Sequence, residues 1–150
     1  MRFCNHCGKL LQDDEKCSCR DNSFEKREYK KPKTNFYQTK GWTSCSRFVR
    51  MRDYNMDRLQ MYLRKYETAN ETEKAIKEFL IDATGEARRF DGRILVHHIE
   101  ELEKAWDKRF DTDNLISLEY HVHEYIHKLY FTKEKEVKEL LRKAVRAELP

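Results

Sequence analysis

The histidines of this 150-residue chain are clustered, and five of the six lie in the segment 97–127. His123 and His127 are four residues apart where the sequence has helical periodicity, so both imidazoles project from one face, about one turn apart. Two histidines at this spacing can share a metal ion. The alternative is a pair of ordinary surface or core histidines, which is the commoner role of either residue alone.

His97 and His98 are adjacent in "RILVHHIEEL", which otherwise has the apolar content of a short buried strand. Neighbours in a strand point to opposite faces, so one histidine can be a third metal ligand while the other acts as a base near neutral pH. The two-residue period leaves open which histidine takes which face. It also allows a simpler arrangement, with one imidazole in the core and the other in solvent.

The elements that must position these histidines follow from hydrophobic spacing. Residues 93–98 and 115–119 are typical of two short strands, and a helical period begins directly after the second strand. A strand–loop–strand–helix unit brings the end of its first strand back against its helix. In the loop, Trp106 and Phe110 are expected to pack inward.

Apolar residues at helical spacing predict additional helices on both sides of this unit. One helix is expected at about 39–52, and a second in the segment that contains Met56, Leu59, Leu63 and Tyr66. A third is expected at 71–83, capped by Asn70 and ended by Gly85. A last helix, capped by Thr132, has one apolar face formed by Val137, Leu140, Leu141, Ala144 and Val145. Cys45 is expected to be a small buried residue. These elements together predict an α+β protein that is mostly helical.

Four of the five cysteines form the pattern Cys4-x2-Cys7-x9-Cys17-x-Cys19, with Gly8 where a tight turn is needed. Two close thiol pairs separated by a short loop suit one tetrahedral zinc ion in a small ribbon- or knuckle-like element. A pair of disulfides is the alternative, which a reducing compartment disfavours. His6 is an alternative ligand in place of one thiolate.

The net charge of +4 is unevenly distributed along the chain. Residues 1–66 contain 16 Lys and Arg against 8 Asp and Glu, whereas residues 67–150 contain 15 against 19. A basic half of this kind attracts a polyanion, although basic linkers are often only solvated. The residues expected to contact DNA are Lys30, Lys31, Lys33, Arg47 and Arg50.

The polar segment 21–35 is nearly free of aliphatic residues and is predicted to be a flexible basic linker between a cysteine element at 1–20 and a domain at 36–150. No run of about 18 apolar residues is present, and the amino end is too short and too polar for a signal peptide. We therefore expect a cytoplasmic protein with no membrane partner.

In order and spacing, His97-His98, Asn114, His123 and His127 resemble the ββα-metal core of the HNH endonucleases. The resemblance covers residues 36–130, because "NFYQTKGWTSCSRFVRMRD", "VHHIEEL" and "DTDNLISL" are similar to the upstream helix, first strand and asparagine turn of phage-type members. It implies that His98 is the general base, that Asn114 holds the loop and the orientation of the base, and that His97, His123 and His127 bind one catalytic divalent ion, which can be Mn, Mg, Ni, Co or Zn.

The sequence departs from this family in one structural respect. Many phage-type members carry two CxxC pairs that hold a zinc ion, but the corresponding positions here are Asp57, Gln60, Glu119 and Val122. That zinc is expected to be absent, and a helical insertion at about 57–90 is expected to replace it as a scaffold. Many members have Asp at position 97, where His keeps a ligand.

The resemblance predicts a metal-dependent endonuclease that nicks or cuts DNA, in host cytoplasm if phage-encoded, with phage packaging or terminase proteins as further partners. The cysteine element and the linker would add affinity for the DNA backbone. One alternative is a non-catalytic DNA-binding or assembly protein with a structural metal site. Another is a nuclease that acts on RNA, since similar cores occur in bacteriocins.

Overall fold

The structure is a computed structural model that describes residues 1–5, 7–19 and 36–149. The predicted linker at 21–35, with Lys30, Lys31 and Lys33, lies outside the described residues, and so does the alternative ligand His6.

The described residues form an α+β fold with two small antiparallel sheets, as the sequence predicts, and helices make up most of its regular structure. The elements are β1 (Arg2–Phe3), β2 (Leu10–Leu11), α1 (Lys40–Arg52), α2 (Arg58–Lys65), α3 (Glu71–Leu80), β3 (Ile94–His98), β4 (Leu115–Glu119) and α4 (Tyr120–Arg146). Two short 3-10 helices, Trp106–Lys108 and Thr112–Asn114, lie in the loop between β3 and β4. Within the described ranges, no helix combines the length and apolar character needed to cross a bilayer.

β3 and β4 pair in a register that sets His97 opposite Ile116 and His98 opposite Leu115. The chain turns from β4 directly into α4, because the Glu119 carboxylate caps the helix by accepting from the backbone N–H groups of His121 and Val122. This immediate turn brings the first part of α4 alongside the end of β3. The predicted strand–loop–strand–helix order is therefore present.

Two apolar clusters hold these elements. The larger cluster joins the β3–β4 sheet to α2, α3 and α4, and it includes Leu59, Leu63, Ile76, Leu80, Ile116, Leu118, Val122, Ile126, Leu140 and Leu141. The smaller cluster contains Phe3, Phe36, Cys45, Val49, Leu102, Phe110 and Leu115. Since Phe3 belongs to β1 and Leu102 and Phe110 belong to the β3–β4 loop, the cysteine element packs against the loop that follows His98.

A fully buried carboxylate, Asp53, ties the end of α1 to the sheet. Its oxygens accept from the guanidinium groups of Arg52 and Arg58 and from the backbone N–H of Ser117, at 2.7–2.9 Å. Arg52 also donates to the carbonyls of Thr112 and Leu115, both at 2.8 Å. Although Arg52 belongs to the basic half of the sequence, it is therefore engaged in the fold.

Hydrogen bonds connect Asp57, Gln60, Glu119 and Val122, the four positions at which the resemblance implied the loss of a zinc site. Asp57 accepts from the backbone N–H of Gln60 at 2.8 Å and from that of Glu119 at 2.7 Å, and Glu119 in turn caps α4 at Val122. Two carboxylate caps thus join the start of α2 to the start of α4. Burial raises the pKa of the Asp57 carboxyl to about 7.

One predicted helix boundary was wrong. The third helix ends at Leu80, not at Ala83, because the Asp82 side chain accepts from the N–H groups of Thr84 and Glu86 and closes a separate turn that contains Gly85 at φ +85°. The predicted last helix, capped by Thr132, agrees closely with the structure, because non-helical backbone at Lys133 divides α4 into two helices that meet in a kink.

Candidate metal and catalytic site

The end of β3 and the first turns of α4 bring three imidazoles together. Ring nitrogens of His97, His123 and His127 all lie within 4.8 Å of one another, and the two Nε2 atoms on α4 are 3.0 Å apart. Nitrogen ligands about 2.0–2.1 Å from a tetrahedral ion are separated by about 3.3 Å, so small side-chain rotations would bring this set to ligand distance. Three imidazoles are a donor set suited to a divalent transition ion.

The surroundings of His97 and His123 favour the neutral imidazole, which is the form that binds metal. Burial, and after it the neighbouring His123 and His127, hold the pKa of His97 well below its ordinary value. Burial and the adjacent His127 also lower the pKa of His123. Nδ1 of His123 lies 3.5 Å from a carboxylate oxygen of Glu124, while its Nε2 faces His127.

His98 contacts a different set of residues, on the opposite face of β3. Its Nε2 lies 3.0 Å from the carbonyl oxygen of Arg109 in the β3–β4 loop. The Trp42 ring stacks on the imidazole with centroids 5.0 Å apart, and Phe36 packs against it at 5.8 Å. The alternation of His97 and His98 therefore separates two environments, as the period of a strand requires.

Asn114 holds the loop that leaves His98. Its side-chain Oδ1 accepts from the backbone N–H of Glu100 at 2.8 Å, and its Nδ2 donates to the Glu100 carbonyl at 3.1 Å. The backbone carbonyl of Asn114 also accepts from Ile99 at 2.8 Å. The Glu100 carboxylate pairs with Lys138 and Arg142 of α4, so this short segment is attached to both β4 and the helix.

Both neighbouring histidines border one open cavity of about 200 Å³. The cavity is lined by Tyr37, Val96, His97, His98, Glu101, Leu102, His123 and His127. A small polar group can therefore approach the triad and His98 at the same time. The predicted residues His97, His98, His123 and His127 are brought together, and Asn114 lies behind them on the loop.

The four cysteines of the amino-terminal element are positioned to hold a metal ion, which is compatible with a structural zinc site. Their sulfur atoms lie within 4.8 Å of one another, and none of the five cysteines forms a disulfide bond. Gly8 takes φ +76° directly after Cys7, and its N–H donates to the Cys4 carbonyl at 2.9 Å. Hydrogen bonds from the Cys19 backbone and the other thiols lower the pKa of Cys17 to about 7, while the hydrogen bond with Cys17 raises the pKa of Cys19 to about 12, so the thiolate form is favoured at Cys17 alone of these two.

The remaining predicted residues lie away from these clusters. Arg47 is exposed and Arg50 is half-buried, both on α1. His121 is exposed, as expected, and binds the Glu119 carboxylate through Nδ1 at 2.7 Å. Cys45 is fully buried, as expected, and burial raises its pKa to about 12.

Sequence reasoning missed three groups that touch the histidines: the Arg109 carbonyl, the Trp42 ring and the Tyr130 hydroxyl. The Tyr130 oxygen lies 3.0 Å from Nε2 of His97 and 3.0 Å from the carbonyl oxygen of Ile99. Its position three residues after His127 was an available signal, since that spacing keeps both side chains on neighbouring parts of one helical face. A backbone carbonyl gives no comparable signal in a sequence.

Fold and site together define a small α+β protein with a cysteine cluster and a histidine cluster that can each hold a metal ion. No family model, no curated protein and no solved structure matches this chain.

Proposed function

We propose that this chain is a metal-dependent endonuclease of the HNH kind that hydrolyses phosphodiester bonds in DNA. The proposal rests on the different surroundings of the two adjacent histidines at the end of β3. His97 faces His123 and His127, whereas His98 has its own environment, and all four border the same cavity. Hydrolysis of a phosphodiester needs a base that removes a proton from the attacking water and, close to it, a positive charge that stabilises the phosphate.

His97, His123 and His127 would hold the ion through neutral imidazoles. When bound there, a divalent ion supplies a Lewis acid for the phosphate and positive charge for the leaving oxygen. Imidazole ligands favour transition ions such as Zn, Ni, Co or Mn over Mg in intrinsic affinity.

His98 would act as the general base. A carbonyl oxygen can only accept a hydrogen bond, so the contact with Arg109 places the imidazole proton on Nε2 and the lone pair on Nδ1. Nδ1 is then the atom that takes a proton from the attacking water. The Arg109 carbonyl stabilises the imidazolium that results, and the Trp42 ring keeps the imidazole in its plane.

Asn114 would take no part in the chemical step and would position His98 through the backbone that follows it. Its amide fixes the backbone of Glu100, two residues after His98. This restricts the direction in which β3 ends, and thereby the place of both histidines.

A duplex DNA substrate is supported by the excess of basic residues in the first 66 positions. Contacts of lysine and arginine with phosphates give affinity that does not depend on sequence. The cysteine element packs beside the loop that follows His98, so it can contribute to the same face.

The test is a plasmid-nicking assay across divalent ions, with the intact chain and His98→Ala. We expect the variant to lose about 10²–10⁴-fold in cleavage rate, the usual contribution of a general base, while it keeps its fold and the metal at the triad. His121→Ala, an exposed histidine at the start of α4, is the matched control and should cleave normally.

Unchanged nicking by His98→Ala would overturn the assignment of the base. If the intact chain holds metal tightly at the triad but cuts no duplex DNA, single-stranded DNA or RNA with any ion, the site is structural and the chain is a non-catalytic binding or assembly protein. Cleavage of RNA alone would move the substrate class to ribonuclease.

A further inference from the structure

Tyr130 is a buried residue of α4 whose hydroxyl lies between two polar groups from the end of the β3 segment. The oxygen is 3.0 Å from Nε2 of His97 and 3.0 Å from the carbonyl oxygen of Ile99. The residue is 8% exposed, so water has little access to this group of atoms. Few other acceptors or donors are therefore able to replace these hydrogen bonds.

The protons in this group can be assigned from donor and acceptor roles. The Ile99 carbonyl can only accept, so the single proton of the Tyr130 hydroxyl points to it. The hydroxyl oxygen must then accept from His97, whose Nε2 carries the ring proton. A neutral imidazole protonated at Nε2 has its lone pair on Nδ1.

We propose that Tyr130 is a positioning residue that fixes His97 as the Nε2–H tautomer, so that Nδ1 is the atom it offers to a metal ion. The proposal rests on the histidine triad as a metal site. It assigns a mixed set of ligand atoms, because His123 and His127 face each other through Nε2. Hydrogen bonds to the second nitrogen of a ligating imidazole commonly set its tautomer and orientation.

The packing of Tyr130 suits this role. The residue follows His127 by one turn on α4, so one rigid helix carries two ligands and the group that orients the third. Its ring meets the His97 ring edge-on with the centroids 5.6 Å apart, and the Lys138 ammonium lies 5.4 Å from the Tyr130 ring centroid. The phenol is therefore held by contacts with both residues.

The first measurement needs no variant. Nitrogen NMR of the intact chain without metal at the triad reports which nitrogen of each histidine carries the proton. We expect His97 to be protonated at Nε2. A His97 protonated mainly at Nδ1 would overturn the proposal, and this result does not depend on metal binding or cleavage.

The second measurement compares Tyr130→Phe with Tyr125→Phe, which removes a hydroxyl from the same helix at a partly buried position that stacks on Phe79. Titration calorimetry with Co²⁺ or Ni²⁺ gives the affinity of the triad, and a His123→Ala/His127→Ala double variant corrects for metal taken up by the cysteines. We expect Tyr130→Phe to lose the single-tautomer signal of His97 and to bind about 10–100-fold more weakly, the usual effect of removing such a partner. Tyr125→Phe should match the parent.

A Tyr130→Phe protein with the parental tautomer and affinity would overturn the role of Tyr130. If the parent itself binds no metal at the triad, the proposed function fails, while the tautomer measurement still decides whether Tyr130 controls His97.

Discussion

The two adjacent histidines are each held at Nε2 by an acceptor that comes from a different part of the chain. His97 meets the Tyr130 hydroxyl of α4, and His98 meets the Arg109 carbonyl of the β3–β4 loop. In both cases the proton stays on Nε2 and the lone pair on Nδ1. Because the two rings have different neighbours and border one cavity, the same tautomer gives one residue suited to bind metal and one suited to accept a proton.

Residue types and spacing were sufficient to group the four histidines, whereas Asn114 was added only by the resemblance to the HNH endonucleases. The partners were not predictable, because the Arg109 carbonyl is backbone and its place depends on how a loop of irregular structure folds. Asp57 is a similar case. By the resemblance, its position indicated only a missing cysteine. In the structure it caps α2 and also accepts from the backbone N–H of Glu119, the residue that caps α4, and this second contact is tertiary.

Asp57 should make the stability of the fold depend on pH. Burial raises its pKa to about 7 from an ordinary value of 3.8, so the folded state binds a proton more tightly than the unfolded state. The contribution of Asp57 to the free energy of unfolding is fully present below pH 3.8 and is lost as the pH rises towards 7, at up to about 1.4 kcal/mol per pH unit. Because Asp57→Asn cannot ionise at this position, its free energy of unfolding should not show this decrease.

The measurement is urea unfolding of the parent and Asp57→Asn between pH 4 and pH 8. The difference between their free energies of unfolding should change steadily up to about pH 7 and then level off. Asp91→Asn, an exposed carboxylate, controls for the general effect of charge. A difference that is constant across this range would contradict the assigned protonation of Asp57.

At the scale of elements, the β3–β4 loop connects the cysteine element to the site. Phe3 shares an apolar cluster with Leu102 and Phe110, and the N–H of Thr112 donates to the Met1 carbonyl at 3.3 Å. The same loop supplies the Arg109 carbonyl that binds His98. The cysteine element is thus placed to restrict the motion of the loop that orients the proposed base.

The boundaries of these elements show where sequence patterns are informative. Asn70 caps α3 as predicted, because a capping side chain acts on the next three residues and depends little on the rest of the fold. The end of α3 was mispredicted, because it depends on a turn closed by Asp82. The break within α4 lies at Lys133, next to the predicted cap Thr132.

Because the cysteine element packs against the loop that orients His98, loss of metal from the cysteine cluster should also impair the histidine site. Cys7→Ser should weaken metal binding at the cluster and increase hydrogen exchange of the amides in residues 99–114, because so small an element has little apolar core of its own. Cleavage should fall while the affinity of the histidine triad for metal changes less. Ser18→Ala, between two of the cysteines, should leave exchange and cleavage unchanged. Unaltered protection of the loop in Cys7→Ser would show that the two parts are not coupled.

For the whole molecule, the count of basic residues overstates the charge available to a polyanion. Arg52 and Arg58 are engaged with the buried Asp53, and Lys138 and Arg142 with Glu100. Arg47 remains an exposed cation among the described residues of α1. The charges thus divide into those that hold the fold together and those that can meet phosphates.

This division predicts opposite outcomes for two arginine substitutions in the basic half. If Arg47 contacts a phosphate, Arg47→Gln should make the logarithmic dependence of DNA binding on salt shallower by about 1, with no change in melting temperature. Arg47→Lys, which keeps the charge, should retain the parental slope. Arg58→Gln should instead destabilise the fold, because it removes one of the two guanidinium groups that pair with the buried Asp53 and the donor to the carbonyls of Ala144 and Val145. Equal salt slopes for the parent and Arg47→Gln would remove Arg47 from the interface, and an unchanged melting temperature in Arg58→Gln would show that the buried network contributes little to stability.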